Sequence, residues 1–189
     1  MPLRNSAALH DREGRGLQDR GTLRHQLVTP QQQDIYDYWR SLCDENRHTE
    51  GLPSRYDIDP VRLHRQLPFV TLSERGADGA FYLRLAGTGF WNFFGSEITG
   101  ARIDELPLGA GCAYWNRVLA HVETTGQPMA GTTRPFTPRG ADLRQFWVRL
   151  PLADGVILGF DQYLAGATRR PSRLMRPTFG GGIPMLSGA

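Results

Sequence analysis

The sequence predicts an α+β fold, in which short helices lie on one face of a five-stranded antiparallel sheet and another helix precedes the sheet. The order of the patterned segments is the first reason: a helix, two strands, three helical segments and three further strands. The second is the Asp154-Gly155 pair between the last two strands, which favours an antiparallel hairpin. The third is the length of 189 residues, which is typical of one domain with extended ends.

The patterned segments divide the chain into three regions. Residues 1–26 are polar and lack an apolar period, so we expect a disordered N-terminal segment. Residues 27–165 contain every predicted helix and strand and form the expected domain. Residues 166–189 carry four arginines and no acidic residue, which predicts a flexible, arginine-rich tail.

The first helix has clear start signals. Thr29 is a suitable N-cap, Pro30 suits the first helical position, and Gln32 completes a capping box. The helix is expected to end near Asn46. Its apolar side chains fall at helical spacing and form one stripe: Ile35, Tyr38, Trp39 and Leu42.

A second short helix is expected after Asp59 and Pro60, which again look like a cap and a first helical residue. Two strands follow, at residues 69–74 and 80–86, with Phe81, Leu83 and Leu85 on one face of the second.

The remaining elements follow from turns and periodicity. The Gly-Thr-Gly turn at residues 87–89 leads into a short helix with three phenylalanines, and short helical pieces continue to Leu106. The long helix is expected over residues 111–125, ended by Gly126. The last three strands are expected at residues 129–136, 143–150 and 155–164.

Composition excludes several kinds of chemistry. All 22 basic residues are arginine, so no lysine can form a Schiff base or complete a phosphate loop. Cys43 and Cys112 lie far apart in no metal-binding or redox motif. The basic charge lies in the ends, where we expect solvation and not nucleic-acid binding. No apolar run is long enough to span a membrane, and the first residues do not resemble a secretory signal, so we expect a cytoplasmic protein.

Four segments resemble short, stand-alone bacterial proteins of the PAS-domain family: YDYWRSL, LPSRYDIDPVRLHRQLPFVTL, YLRLAGTGFWNFFGSEITGARIDEL and FWVRLPLADG. The resemblance spans roughly residues 33–164, so residues 27–165 are expected to form a PAS-like domain. It implies a non-catalytic sensory or regulatory module that relays a signal through protein contacts. It carries over no catalytic residue and no assigned cofactor.

In such a fold, a pocket lies between the inner sheet face and the short helices. We expect this pocket to be apolar, which suits a small apolar ligand. The alternative is a pure dimerisation or protein-interaction module in which these side chains fill the core. The predicted lining consists of Phe81, Leu83, Leu85, Phe90, Phe94, Trp115, Leu119, Phe146 and Val148.

The opposite sheet face is expected to form a dimer contact. If Phe146 and Val148 face the pocket, Trp147 points away from it, on the side of Tyr82. The stripe of Tyr38 and Trp39 is then the expected cover, within one subunit or across a homodimer.

Two other hypotheses about the function remain open. His121 lies on the long helix, where haem-binding PAS sensors carry their axial histidine, so a haem sensor is one alternative. A small enzyme is the other, although the sequence has no recognisable catalytic constellation. Neither cysteine lies where flavin photosensors of this family need one.

Overall fold

A computed structural model describes residues 23–45, 51–109, 111–135 and 143–165. Most of the predicted disordered segment (residues 1–26) and the whole predicted tail (residues 166–189) lie outside the described residues. The boundary at residue 26 needs one correction. Leu23–Gln26 form a 3-10 turn, and Arg24 makes a two-point ion pair with Asp37 of the following helix, at 2.8 Å.

Five strands form one antiparallel sheet, which confirms the predicted fold class. They are β1 (Val70–Arg75), β2 (Phe81–Ala86), β3 (Met129–Thr133), β4 (Leu143–Pro151) and β5 (Ile157–Ala165). Their order across the sheet is β2-β1-β5-β4-β3. The hairpin between β4 and β5 turns at Asp154 and Gly155, both with positive φ, as the sequence predicted.

In the part of the chain that the structure describes, three α-helices accompany the sheet: α1 (Pro30–Glu45), α2 (Trp91–Phe94) and α3 (Gly111–Thr125). The bounds of α3 are those expected, and Gly126 follows it with a left-handed φ of 62°. No helix of the described ranges is long and apolar enough to cross a membrane.

The second predicted helix is wrong. Residues 60–66 form successive turns between two 3-10 segments, Arg55–Asp57 and Leu67–Phe69. Asp59 does cap this stretch, because its Oδ1 accepts from the backbone N–H of Val61 at 2.9 Å. Most backbone bonds of this stretch join residues three apart, as from Leu63 N to Pro60 O at 3.2 Å, so it forms tight turns in place of a regular helix.

Both faces of the sheet are covered, so the domain has two hydrophobic cores. On the outer face α1 packs through Ile35, Trp39 and Leu42 onto Val148 and Leu158. On the inner face α2, α3 and the 3-10 turn Ile103–Glu105 pack against the other side of the strands.

The start of α1 is fixed to the sheet by polar contacts. The predicted capping box is present: Gln32 N donates to Thr29 Oγ1 at 3.2 Å, and Thr29 N donates to Gln32 Oε1 at 3.1 Å. The amide group of the same Gln32 donates to the carbonyl oxygen of Trp147 on β4 at 3.0 Å. Further along, Trp39 Nε1 donates to the carbonyl of Pro151 at 2.8 Å. These bonds give α1 one register on the outer face.

Candidate ligand-binding site

A cavity of about 580 Å³ lies between the inner sheet face and the helices α2 and α3. Its volume is within the range of small-molecule sites, roughly 300–1,000 Å³. Apolar side chains form its walls, and the middle strands supply a polar floor. The described residues that line it include Leu83, Ile98, Ile103, Leu106, Leu108, Gly111 and Leu119 among the apolar ones, with Thr71, Ser73, Thr133, Gln145, Arg149 and Asp161 on the floor.

Two groups of aromatic rings face the cavity. The first group comes from α2 and β5, where Phe93 stacks on Tyr163 with centroids 4.8 Å apart and meets Phe94 edge-on at 4.9 Å. The second comes from α3, where Tyr114 and Trp115 meet edge-on at 5.1 Å. The cavity is therefore bounded by ring surfaces on more than one side.

An ion pair lies on the polar floor. Nη2 of Arg149 contacts both carboxylate oxygens of Asp161, at 3.0 and 3.1 Å, and both side chains are almost fully buried. Nη1 of Arg149 donates to the carbonyls of Val148 and Phe160, and its guanidinium stacks 4.5 Å from the Trp115 ring centre. The buried charges are thus paired and hydrogen-bonded, as burial requires.

Gln145 extends this network across the strands. Its Nε2 donates to Asp161 Oδ1 at 2.8 Å, and its Oε1 accepts from Thr133 Oγ1 at 2.9 Å. The Tyr163 hydroxyl lies 3.4 Å from the same Nε2. Strands β3, β4 and β5 are therefore joined by side chains as well as by their backbone ladders.

Two glycines make room for large side chains on this face. A Cβ on Gly159 would collide with Thr71 Oγ1 and crowd Arg149 at 3.2 Å, so glycine lets the guanidinium lie flat over β5. A Cβ on Gly131 would lie 2.6 Å from the Trp147 ring, so glycine lets the indole lie across β3. Glycine is required at both positions because neighbouring side-chain atoms lie too close to leave room for a Cβ atom.

The tyrosines of the site are held in their neutral form. Burial raises the pKa of Tyr163 well above its usual 10.0, the negative charge of Asp161 adds to this rise, and Arg149 opposes it. Burial also raises the pKa of Tyr114, against the charge of Arg149 and the nearby Trp147 indole. That indole N–H has no hydrogen bond of acceptable geometry. Neutral hydroxyls can donate as well as accept hydrogen bonds at neutral pH.

Ser73 has a special position on the floor. Its side chain lines the cavity, it is 1% exposed, and its Oγ has no hydrogen-bond partner. A buried hydroxyl without a partner is costly, and such exceptions in native proteins call for a physical explanation.

Five of the predicted pocket residues line the cavity: Leu83, Phe90, Phe94, Trp115 and Leu119. Phe81 is buried in the same inner core but is not part of the lining. The sequence therefore located the helical wall and one strand of the site.

Leu85 is a correction, because it lies on the outer face and is 41% exposed. The register between β1 and β2 shifts at a bulge between Leu72 and Ser73, so Ser73 pairs with Leu83 while Leu72 pairs with Leu85. The extra residue, Arg84, reverses the alternation of side chains after it.

Strand β4 has the opposite orientation to the predicted one. Val148 packs in the outer core under α1, and half-buried Phe146 shares that face by alternation. Trp147 is on the inner face, where its ring lies 5.3 Å from that of Trp115. The apolar residues point outward because α1 covers them. The polar residues point inward because they find buried partners there.

The surface predicted for dimerisation is occupied within the chain. Trp39 is fully buried and Tyr38 is 7% exposed. The Tyr38 hydroxyl accepts from the backbone N–H of Asp59 at 2.7 Å. Tyr82 is half-buried on edge strand β2 and donates to Asp78 at 2.9 Å. A homodimer remains a prediction, but these residues do not offer a free surface for it.

Sequence reasoning missed the polar floor: Ser73, Gln145, Arg149, Asp161 and Tyr163. One signal was present, because Gln145 and Arg149 alternate along β4 and Asp161 interrupts an apolar strand. Opposite charges on one face of a strand pair indicate a buried network when the other face of the sheet is apolar.

His121 lies on the exposed side of α3, away from the cavity, so it is not placed to bind a haem iron there. The described residues contain no cluster of three or more potential metal ligands.

A comparison with protein families agrees with this architecture. A family model described as PAS domain matches residues 27–155. A search of curated proteins found no match. Among solved structures, the chain resembles one titled "Structure of RsLOV D109G", at 16% identity and a TM-score of 0.42, over 56% of this chain and 65% of that one. It also resembles "VqmA bound to DPO", at 19% identity and a TM-score of 0.43, over 55% and 56%.

The chain thus spans less than two thirds of the length of either solved structure. The family match covers well over half of this chain and includes α1, the whole of β1 to β4 and the helices of the cavity. The protein therefore belongs to the PAS-domain family.

Proposed function

We propose that this PAS domain is a non-catalytic sensor that binds a small molecule in the cavity and relays its occupancy through protein contacts. The observation that carries the proposal is a cavity of about 580 Å³ with a buried polar floor. A domain that served only for protein contacts would be expected to fill this space with side chains.

The contacts of Trp147 support a route for the relay. Its ring packs against Trp115, which lines the cavity, and its backbone carbonyl accepts from Gln32 at the start of α1. A ligand that moves Trp115 would therefore act through β4 on the helix that covers the outer face. The chain is proposed to be cytoplasmic, to act on a protein partner there and to form a homodimer.

The alternative is an interaction module without a ligand. The dense aromatic packing of Phe90, Phe93 and Phe94 favours this alternative, because these rings already bury part of their surface against one another. In that case the cavity would be a packing defect and would bind nothing tightly.

Native mass spectrometry of protein purified from its own host tests the two functions. A ligand of defined mass is expected on the wild-type chain and not on Leu108→Trp, which places a large ring in the cavity. Leu164→Trp is the matched control, because Leu164 is 42% exposed and lies outside the lining. No bound mass, together with no thermal stabilisation by any compound of a small-molecule library, would leave the interaction module as the function.

Sedimentation at several concentrations tests the proposed homodimer, and a monomer at high concentration would contradict it. Fluorescence microscopy of a tagged chain in its host tests the proposed location.

A further inference from the structure

The charged side chains of the cavity floor already neutralise each other. Arg149 and Asp161 form a two-point ion pair, and Arg149 also donates to two backbone carbonyls. The other charged residue of the lining, Arg134, is exposed at the rim, where water screens its charge. A charged ligand would therefore lose its hydration without gaining a buried counter-ion.

Ser73 is a floor residue whose buried hydroxyl has no partner among the residues that the structure describes. Gln145, Asp161 and Thr133 bond to one another, whereas the Ser73 hydroxyl has no partner and is 99% hidden from solvent. A hydroxyl both donates and accepts, so it can pair with one polar group of either kind. Its cost to the free protein would be recovered when a ligand satisfies it.

The walls select for shape. Phe93 and Phe94 on one side and Tyr114 and Trp115 on the other present ring faces and edges to the cavity. Aromatic rings prefer offset-stacked or edge-to-face partners, so a flat ring gains more here than a puckered ring of equal size.

We propose that the cavity selects an uncharged, flat aromatic molecule with one hydrogen-bonding group, and that the Ser73 hydroxyl is its specificity-determining contact. This inference rests on the proposed function. It adds the chemical class of the ligand and the residue that recognises it.

The test is calorimetric titration of the full chain with three matched probes at neutral pH. The probe 2-naphthol is neutral, flat and carries one hydroxyl; 2-naphthoate has the same rings with a charge; decahydro-2-naphthol keeps the hydroxyl but is not flat. We expect 2-naphthol to bind at least about tenfold more tightly than either of the others, a difference of about 1.4 kcal/mol.

The variant Ser73→Ala isolates the hydroxyl. It is expected to weaken 2-naphthol binding about five- to tenfold, the usual effect of one lost hydrogen bond. It should also leave the melting temperature of the ligand-free protein unchanged or raise it, because a hydroxyl without a partner is removed. Ser41→Ala is the control, since the Ser41 hydroxyl bonds the Tyr38 carbonyl on α1, on the outer face.

The outcomes separate this inference from the proposed function. If Ser73→Ala has no effect while Leu108→Trp abolishes binding, the cavity binds ligands but Ser73 does not select them, and the inference is wrong. Tighter binding of 2-naphthoate or of decahydro-2-naphthol also overturns it. If no probe binds the wild-type chain, the inference fails, and the ligand mass found on the native protein then decides the sensor proposal independently.

Discussion

Gln32 and Trp147 join the two sides of the sheet through one side-chain amide. Gln32 Oε1 accepts from the backbone of Val28 and Thr29 before α1, while its Nε2 donates to the Trp147 carbonyl on β4. The Trp147 ring packs on the opposite face against Trp115. The N-terminal cap of a helix on the outer face is thereby connected to the wall of the cavity on the inner face.

Gln32→Ala is expected to destabilise the domain by about 1–3 kcal/mol, because it removes a capping partner and leaves the buried Trp147 carbonyl oxygen with one hydrogen-bond donor fewer. Urea unfolding gives the free energy. Gln33→Ala is the control, since Gln33 makes a single half-buried bond to the Leu27 carbonyl at 3.1 Å. Equal losses for the two variants would show that the bond to Trp147 adds nothing.

Trp39→Ala is expected to cost about 3–5 kcal/mol, the range for truncating a buried aromatic side chain. The residue is fully buried and also loses its bond to the Pro151 carbonyl. Trp91→Ala should cost clearly less than Trp39→Ala, since Trp91 is 53% exposed and its indole N–H makes one exposed bond to Glu97 at 3.3 Å. A small loss for Trp39→Ala, with a change of oligomeric state, would instead restore its predicted role at a dimer contact.

Asp161→Ala is expected to destabilise the domain by about 3–5 kcal/mol, because it leaves the Arg149 guanidinium buried without its counter-ion. The double change Arg149→Met with Asp161→Leu should recover much of that loss, since it removes both buried charges. Asp37→Ala is the control for an exposed two-point ion pair, here with Arg24 at 2.8 Å, and should cost clearly less than Asp161→Ala because water screens the pair. Thermal unfolding of the four proteins provides the comparison. A double variant no better than Asp161→Ala would contradict this account.

Tyr163 predicts a loss of stability at alkaline pH. Its pKa is raised in the folded protein, so above the ordinary value of 10.0 the unfolded chain ionises first, and this ionisation stabilises the unfolded state relative to the folded one. The contribution is fully present below pH 10 and falls as the pH rises toward the folded-state pKa. Tyr163→Phe should therefore lose less stability than the wild type between pH 9 and the onset of unfolding. Parallel pH profiles for wild type and Tyr163→Phe would refute the assignment.

The helices and strands of this domain could be predicted largely because their signals are local. Thr29, Pro30 and Gln32 mark the start of α1, and Asp154-Gly155 marks the hairpin, because each acts through backbone geometry within a few residues. The short helix expected after Pro60 was wrong because the bonds of this stretch mostly join residues three apart, which gives successive turns.

The candidate site could be predicted only in part, because the sequence did not show which face of each strand points into the cavity. A period of two shows that side chains alternate but not which set points inward. When α1 covers the outer face, both sets are buried, and apolar character no longer distinguishes Val148 from Trp147. The bulge that turns Leu85 outward arises from pairing with β1, a partner outside the strand's own sequence.

The sequence by itself therefore determined the element order, the caps, the turns and the family of this protein, since these depend on neighbouring residues. Only the tertiary structure decided that Ser73 lies without a partner on a floor where Arg149, Asp161 and Gln145 bond to one another. Those residues come from three different strands. Their chemistry depends on strand register and on burial from both sides, and both are set when the sheet and its helices pack together.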